Sequence, residues 1–389
     1  MNQNTDQNED GSIELSLVRD DLPYRLQRRL GLIPEHGLGT VRRALFFALF
    51  TWLPIVVWAG FEGRVLSGHV EEPLLQHYGI HVRFLIALPL LILGEAKMDK
   101  LMTKFIPYFL TSGLVRAEQR GAFKDTIKGV IRLRDLVKPW LIIAVLILAW
   151  TLFKPAVSEE HELIWADGGF GVFWFNYVSR PIFTIFMAAW LWRLALLVIL
   201  LKRVARLGLD LVPTHPDRAG GLGFLEKLPT AFSLFALAVS SVIASRLAHD
   251  VVYHGVHVIS LKVLLVGFLI VVIGLCITPL LVFIGSLVSA KRQALLEYGA
   301  LVGQHGRLVR RRWIIGETLD DDSLLDAQEI GPVADTLALY DAVKNMRAAP
   351  IGKSAIMGVA LPALIPMLAL FSIEVPIKDV LTKLLGILV

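Results

Sequence analysis

The stretch Val263-Leu-Leu-Val-Gly-Phe-Leu-Ile-Val-Val-Ile-Gly-Leu-Cys-Ile-Thr-Pro-Leu-Leu-Val-Phe-Ile-Gly-Ser-Leu287 contains no charged residue. As a helix rising about 1.5 Å per residue, it is longer than the roughly 30 Å of hydrocarbon in a bilayer. An uncharged run of this length exceeds what a core helix of a soluble domain needs. The stretch therefore predicts a membrane-spanning helix.

Six further segments share this character, and together the seven predict an all-α fold, a polytopic transmembrane helical bundle. The composition agrees, because 55% of the residues are hydrophobic and only 19% are charged, against about 25% charged in soluble domains. The other predicted spans are Ala44–Gly60, His81–Glu95, Trp140–Phe153, Val178–Leu201, Thr230–Ile243 and Ala355–Ile373.

Basic residues follow the alternation of the predicted spans. Of the 39 Lys and Arg residues, 30 precede the first span or lie in the second, fourth and sixth connections. Because loops rich in Lys and Arg stay in the cytoplasm, we expect a multi-pass protein of a bacterial inner membrane with a cytoplasmic N-terminus. These residues would lie beside anionic headgroups, so the lipid bilayer is the predicted partner and nucleic acid is not.

The segments outside the spans are predicted to be helical or disordered. Residues 1–12 are polar and predict a disordered tail. Residues 13–43 interleave leucines with arginines, most clearly over Leu15–Leu32, and predict an amphipathic segment on the inner leaflet. Within the membrane domain, residues 44–289, the connection 98–138 predicts cytoplasmic helices.

The C-terminal part of the chain divides into two predicted units. Residues 290–352 predict a cytoplasmic helical segment that continues the sixth span, changes at Gly316 and resumes as a helix over Val333–Met346. Residues 353–389 hold the last span and a C-terminal interfacial helix. A re-entrant segment is the alternative for that last helix.

A proline- and glycine-rich motif lies at the predicted cytoplasmic mouth of the fifth span. It reads Val212-Pro-Thr-His-Pro-Asp-Arg-Ala-Gly-Gly-Leu-Gly-Phe-Leu225. The amide groups of Gly220 and Gly221 could face an anion, and His215, Asp217 and Arg218 could contact a ligand or form a gate. The alternatives are a structural loop whose charges pair with neighbouring helices, and an acid–base site of His215 and Asp217.

The segments His215–Leu225 and Asn345-Met-Arg-Ala-Ala-Pro350, with the proline-containing last span, resemble a family of bacterial multi-spanning membrane proteins to which no activity is attached. The resemblance covers roughly the second half of the chain. It implies a location in the bacterial inner membrane and implies no activity.

A single arginine lies deep in the fourth predicted span. Arg193 precedes the basic cluster at Lys202 by nine residues, or about 13 Å of depth. A charge there costs at least about 2.5 kcal/mol unless it is paired or hydrated. We expect Arg193 to approach Glu95 of the second span, either as a structural ion pair or as part of a ligand or ion pathway.

Polar residues near the predicted outer ends of the spans suggest two further sites. Arg180 and Arg246, with Arg83, could form a basic ring that attracts anions, although arginines there are commonly interfacial anchors. His249, Asp250, His254 and His257 could share a helical face and bind a divalent metal. External pH sensing by these histidines and plain loop polarity are the alternatives.

These features favour a transporter or channel of unknown substrate, a small solute or ion, and a homo-oligomer. The alternative is a non-transporting sensor or scaffold that acts through its cytoplasmic helices. A membrane enzyme is the third hypothesis, less favoured because the sequence contains no Walker loop and no His-Glu-x-x-His pattern and offers only His215 with Asp217 as an acid–base pair. No cofactor is expected. A polar cavity that touches Arg193 would favour transport, whereas a tightly packed bundle would favour a scaffold.

Overall fold

The chain forms a bundle of helices in a computed structural model that describes residues 15–35, 37–66, 73–152, 165, 169–316 and 333–374. These described residues contain no strand. The predicted tail of residues 1–12 and the predicted interfacial helix after residue 374 lie outside them. In chain order the helices are α1 (Leu22–Arg29), α2 (Thr40–Phe61), α3 (Tyr78–Thr111), α4 (Arg120–Asp135), α5 (Lys138–Leu152), α6 (Gly169–Ala205), α7 (Gly223–Tyr253), α8 (Val258–Leu281), α9 (Ile284–Val309), α10 (Val333–Lys344) and α11 (Lys353–Phe371).

Six of these helices, α2, α3, α6, α7, α8 and α11, are long and apolar enough to cross a membrane. The protein is therefore an integral, multi-pass membrane protein. Each of the six contains all or most of one predicted span, which confirms the predicted all-α polytopic bundle.

The third predicted span corresponds to α5, which has 15 residues up to the limit of the described part at Leu152. Its apolar side chains face outward, with Leu141 and Val145 about 60% exposed, as expected of a lipid-facing helix. It packs along α6: Arg180 lies over the Trp150 ring, and Ile143 and Ala188 line one cavity between the two helices. A seventh span at this position stays a prediction.

At one end of the bundle, the spans adjoin the segments that carry most of the basic residues. We call this end of the bundle the basic end. Here Arg43 in the first turns of α2 contacts Glu95 of α3, which in turn contacts Arg193 of α6. Lys97 of α3 also donates to Ser233 near the start of α7. The basic end is thus where α2 and α7 begin and where the spanning parts of α3 and α6 finish.

Helix α7 is the most buried of the six spans and packs along α11. The Ser240 hydroxyl donates to the Ala363 carbonyl of α11, and α11 continues as one helix through Pro362 and Pro366. Helices α3 and α6 approach closely at Gly94, where a Cβ atom would lie 2.7 Å from the Trp190 ring. The small residue at 94 therefore sets the distance between these two spans.

Beyond the spans, α3 continues to Thr111 instead of giving way to a separate helix in the connection 98–138. Met98, Met102 and Phe105 recur at helical spacing and are buried, so the apolar face of the span extends past its charged boundary. Phe109 packs against Phe123 of α4. The second half of the connection forms α4, as a cytoplasmic helix was predicted there.

The predicted extension of the sixth span is present as a separate helix. Helix α8 ends shortly after Pro279, and α9 begins at Ile284 and continues through a π-helical turn to Gly316, whose φ is 79°. Helix α10 packs back on α9, where His305 and Thr336 are both buried. The two helices form a hairpin at the basic end, which we call the α9–α10 hairpin.

The N-terminal segment differs from the predicted helix over Leu15–Leu32. Only α1 is helical, because Asp21 caps the Tyr24 amide and Pro23 occupies the first turn. Leu15, Leu17 and Val18 are fully buried in the main core. This part of the segment is therefore packed into the protein instead of lying on the leaflet.

Candidate functional sites at the basic end

Four buried charges meet between α1, α2, α3 and α6, and we call Asp21, Arg43, Glu95 and Arg193 the buried charge cluster. The Arg193 guanidinium lies 2.8 Å from the Asp21 carboxylate and 2.9 Å from the Glu95 carboxylate. The other Glu95 oxygen lies 2.6 Å from Nη1 of Arg43. The predicted approach of Arg193 to Glu95 is confirmed, but the pair belongs to a set of four residues.

The buried charge cluster is closed to solvent. The side chains of Arg193 and Glu95 are 2% and 1% exposed. Gln27 accepts a hydrogen bond from Nε of Arg43, and the Arg193 guanidinium lies 5.9 Å from the centre of the Trp190 ring. Within the described residues, Nη1 of Arg193 has no hydrogen-bond acceptor.

The formal charges of the cluster sum to zero, which is the condition under which buried ions are tolerated. An unpaired buried charge costs several kcal/mol, and removing one partner of a buried pair typically costs about 3–5 kcal/mol. Because two arginines face two carboxylates, each charge has an opposite neighbour. The cluster therefore fastens the N-terminal segment to three spans.

Sequence reasoning missed Asp21 and Arg43, although both left a signal. Asp21-Leu-Pro23 is a helix-start pattern, and it fixes Asp21 at the N-terminal end of α1. Arg43 lies beside the buried small residues Ala44, Ala48 and Thr51 of α2, whose helical spacing marks the face turned to the bundle. What the sequence does not show is that these two surfaces meet.

The second polar site is the loop predicted to bind an anion, and it is filled by its own aspartate. The Asp217 carboxylate accepts hydrogen bonds from the amides of Ala219, Gly221 and Gly223 at 2.7, 3.2 and 2.7 Å. Gly220 and Gly221 adopt positive φ, as does Arg218 with φ 55°. We call residues 215–223 the Asp217 loop; the carboxylate of its own aspartate occupies three of its amides, including that of Gly221.

The electrostatics of the Asp217 loop argue against acid–base work at neutral pH. Burial raises the pKa of the Asp217 carboxyl, but the three amide donors and His215 outweigh it and hold the pKa below its usual range. Nδ1 of His215 lies 2.9 Å from this carboxylate. A carboxylate stabilised in this way is a weak base.

Arg347 ties the Asp217 loop to the segment before the last span. Its amide donates to the Arg218 carbonyl, and its guanidinium donates to the carbonyls of Asp217 and Ile351. The same guanidinium pairs with Glu226. The segments His215–Leu225 and Asn345–Pro350 are therefore in direct contact.

The residues predicted to lie at outer sites are at the end opposite the basic end. Arg180 lies over the Trp150 ring at 5.7 Å, and Arg246 is exposed. The basic ring stays a prediction.

The structure brings together only some of the predicted metal residues. No group of three or more metal-binding side chains occurs among the residues that the structure describes. His249 stacks on His77, with ring centroids 5.2 Å apart, while His257 faces Glu374 at 3.6 Å. The His249 ring also lies 5.3 Å from the His254 ring, centre to centre. Metal binding by His249, Asp250, His254 and His257 stays a prediction.

Two cavities of the described part indicate where a molecule could enter. One of ≈ 420 Å³ lies at the basic end between α9 and the chain after α6, with Arg116, Asp210 and Glu297 in its wall. A hydrogen bond from Arg116 lowers the pKa of Asp210. The other, of ≈ 540 Å³, is an apolar groove between α3, α7 and α11. Arg193 lines neither cavity.

Comparisons with protein-family models, with curated proteins and with solved structures find no match to this chain.

Proposed function

We propose that this integral membrane protein is a non-transporting scaffold or sensor of a bacterial inner membrane, whose basic end faces the cytoplasm and engages a partner. The observation that carries the proposal is the closure of the buried charge cluster. Arg193, a buried charge on a span, is paired on two sides, once with Asp21 at the start of α1 and once with Glu95. A hydrated pathway would instead leave such a charge in contact with water.

The surface available to a partner lies on the helices of the basic end. In the α9–α10 hairpin, Leu296 is 77% exposed and Leu337 is 49% exposed, although neither lies in a membrane span. The polar cavity beside α9 adjoins this hairpin. Exposed apolar side chains next to a polar rim are typical of interaction surfaces.

Reconstitution into liposomes tests the transport side of the proposal. We expect ion flux and single-channel conductance at the level of protein-free membranes for the wild type and for Arg193→Leu. If Arg193→Leu does not fold, the double variant Asp21→Leu/Arg193→Leu, which keeps the cluster neutral, replaces it in the flux measurement. Flux above background that either variant changes would overturn the proposal.

Photo-crosslinking in cells tests the partner side. A photoreactive residue at Leu296 or Leu337 should give an adduct of defined mass, and Leu296→Arg should abolish the adduct at Leu337. The control position is Val263 of α8, which is 75% exposed on a membrane span. Identical adducts at all three positions, or none at the hairpin, would count against a partner there.

Transport stays the second candidate because of one observation in the opposite half of the bundle. Asn176 is 1% exposed, and neither its amide nitrogen nor its carbonyl oxygen has a hydrogen-bond partner among the described residues. It lies in a π-helical turn, Phe175–Ser179, whose Phe175 packs on Phe84 of a second such turn, Val82–Ala87. π-Helical turns occur frequently at functional sites.

The isosteric variant Asn176→Leu separates the two candidates. If the bundle is static, removal of an unpaired buried amide raises the midpoint of thermal unfolding in detergent. If Asn176 serves transport, the same variant lowers a flux that the wild type shows. An unchanged midpoint together with background flux would leave Asn176 without either role.

A further inference from the structure

Helix α1 has two faces of different chemistry. On one face Asp21, Tyr24 and Gln27 are buried, and Asp21 and Gln27 bond the two arginines of the buried charge cluster. On the other face Leu26 is 51% exposed and Leu30, which directly follows the helix, is 73% exposed. Leucines four residues apart form an apolar stripe on this face of the helix.

The contacts of α1 place its exposed face at the level of one leaflet. Asp21 binds Arg193, which lies about 13 Å from the end of the spanning region by helical rise. Gln27 binds Arg43, which lies in the first turns of a membrane span. Helix α1 therefore lies beside the spans within the leaflet at the basic end.

The charges around the exposed leucines are mostly positive. Arg28 and Arg29 end α1, and Arg42 is exposed in the first turn of α2 beside Val41 and Leu45, which are both more than 60% exposed. The exposed acidic residues of the same segment are Asp20, before α1, and Glu35, in the loop after it. The surface therefore combines three exposed arginines with apolar side chains.

We propose that this surface, which consists of Leu26, Arg28, Arg29, Leu30 and Arg42, binds anionic phospholipid at the basic end. The leucines enter the acyl region while the guanidinium groups bond the phosphates, for which arginine is well suited because of its planar set of donors. Since the opposite face of α1 closes the buried charge cluster, the lipid contact and the cluster hold the same helix from two sides. This inference does not depend on a partner at the α9–α10 hairpin.

A fluorescence titration in nanodiscs tests the proposal on the full chain. An environment-sensitive fluorophore is attached at Leu30→Cys in a Cys276→Ala background, and nanodiscs of phosphatidylcholine receive increasing fractions of phosphatidylglycerol. We expect a saturable signal change with phosphatidylglycerol. Arg28→Glu/Arg29→Glu should raise the fraction at half saturation by at least about tenfold, since it replaces two attractions to the anionic surface by two repulsions.

The matched control is Lys128→Glu/Arg132→Glu on α4, which changes the charge equally at two exposed positions four residues apart. It should leave the titration unchanged. Soluble glycerol phosphate added to phosphatidylcholine nanodiscs should give no signal change. Equal signals with and without phosphatidylglycerol, equal shifts in both charge variants, or a response to glycerol phosphate would each overturn the proposal.

Discussion

The buried charge cluster and the Asp217 loop both enclose carboxylates at the basic end, but they do so by opposite means. In the cluster, side chains from distant parts of the sequence neutralise one another. Asp21 and Arg193, for example, are 172 residues apart. In the loop, one carboxylate is satisfied by amides two, four and six residues ahead. The cluster therefore depends on the whole bundle, whereas the loop depends on a few local dihedral angles.

This comparison predicts that loss of one charge is costlier in the cluster than in the loop. Glu95→Leu leaves two buried arginines with one carboxylate, and we expect the stability to fall by about 3–5 kcal/mol. The measurement is the midpoint of thermal unfolding in detergent.

The double variant Glu95→Leu/Arg43→Leu tests the cause of that loss. It restores neutrality, because Arg193 and Asp21 remain as a pair, and it should recover at least half of the lost stability. A double variant that is less stable than Glu95→Leu would show that packing, and not charge balance, dominates at the cluster.

Substitutions of Arg347 test how much stability the contact between Arg347 and the Asp217 loop contributes. Arg347→Ala removes two side-chain bonds to carbonyls and the pairing with Glu226, and we expect a loss of about 2–3 kcal/mol. Arg347→Lys keeps the charge but not the planar set of N–H donors, so it should recover less than half of the stability that Arg347→Ala loses. Full recovery with lysine would mean that only the charge matters.

The smallest effect concerns pH at Asp217. At neutral pH, Asp217→Asn should cost about 1.5–3 kcal/mol, the value of hydrogen bonds to a charged group. Because the pKa of Asp217 is lower in the folded protein, the contribution is complete above its ordinary pKa of 3.8 and is lost as the pH falls through the lower, folded value. The difference in unfolding midpoint between wild type and variant should thus be constant from neutral pH to about pH 4 and shrink below. A difference that already shrinks above pH 5 would contradict this assignment.

The sequence predicts the spans well because hydropathy and span length depend on local composition alone. Six of the seven predicted spans correspond to spanning helices, and the shorter α5 coincides with the seventh. The approach of Arg193 to Glu95 was also predictable, since both are rare charges at similar depth. The participation of Asp21 and Arg43 was not, because it follows from how the N-terminal segment packs between spans.

The Asp217 loop shows a different limit. The glycines correctly indicate a turn with accessible amides, but sequence alone does not decide whether those amides bind a foreign anion or the carboxylate within the same motif. The contact with Arg347 lies 130 residues away. No local signal in either segment indicates that they lie together.

The 172 residues between Asp21 and Arg193 also set an order of events during biogenesis. At about 5–20 residues per second, the ribosome needs roughly ten to thirty seconds to deliver Arg193 after Asp21. During that interval the nascent N-terminus cannot dock, and Arg43 and Glu95 enter the bilayer before their two remaining partners have assembled. Asp21, although synthesised well before Arg193, consequently reaches its final place only after Arg193 has been made.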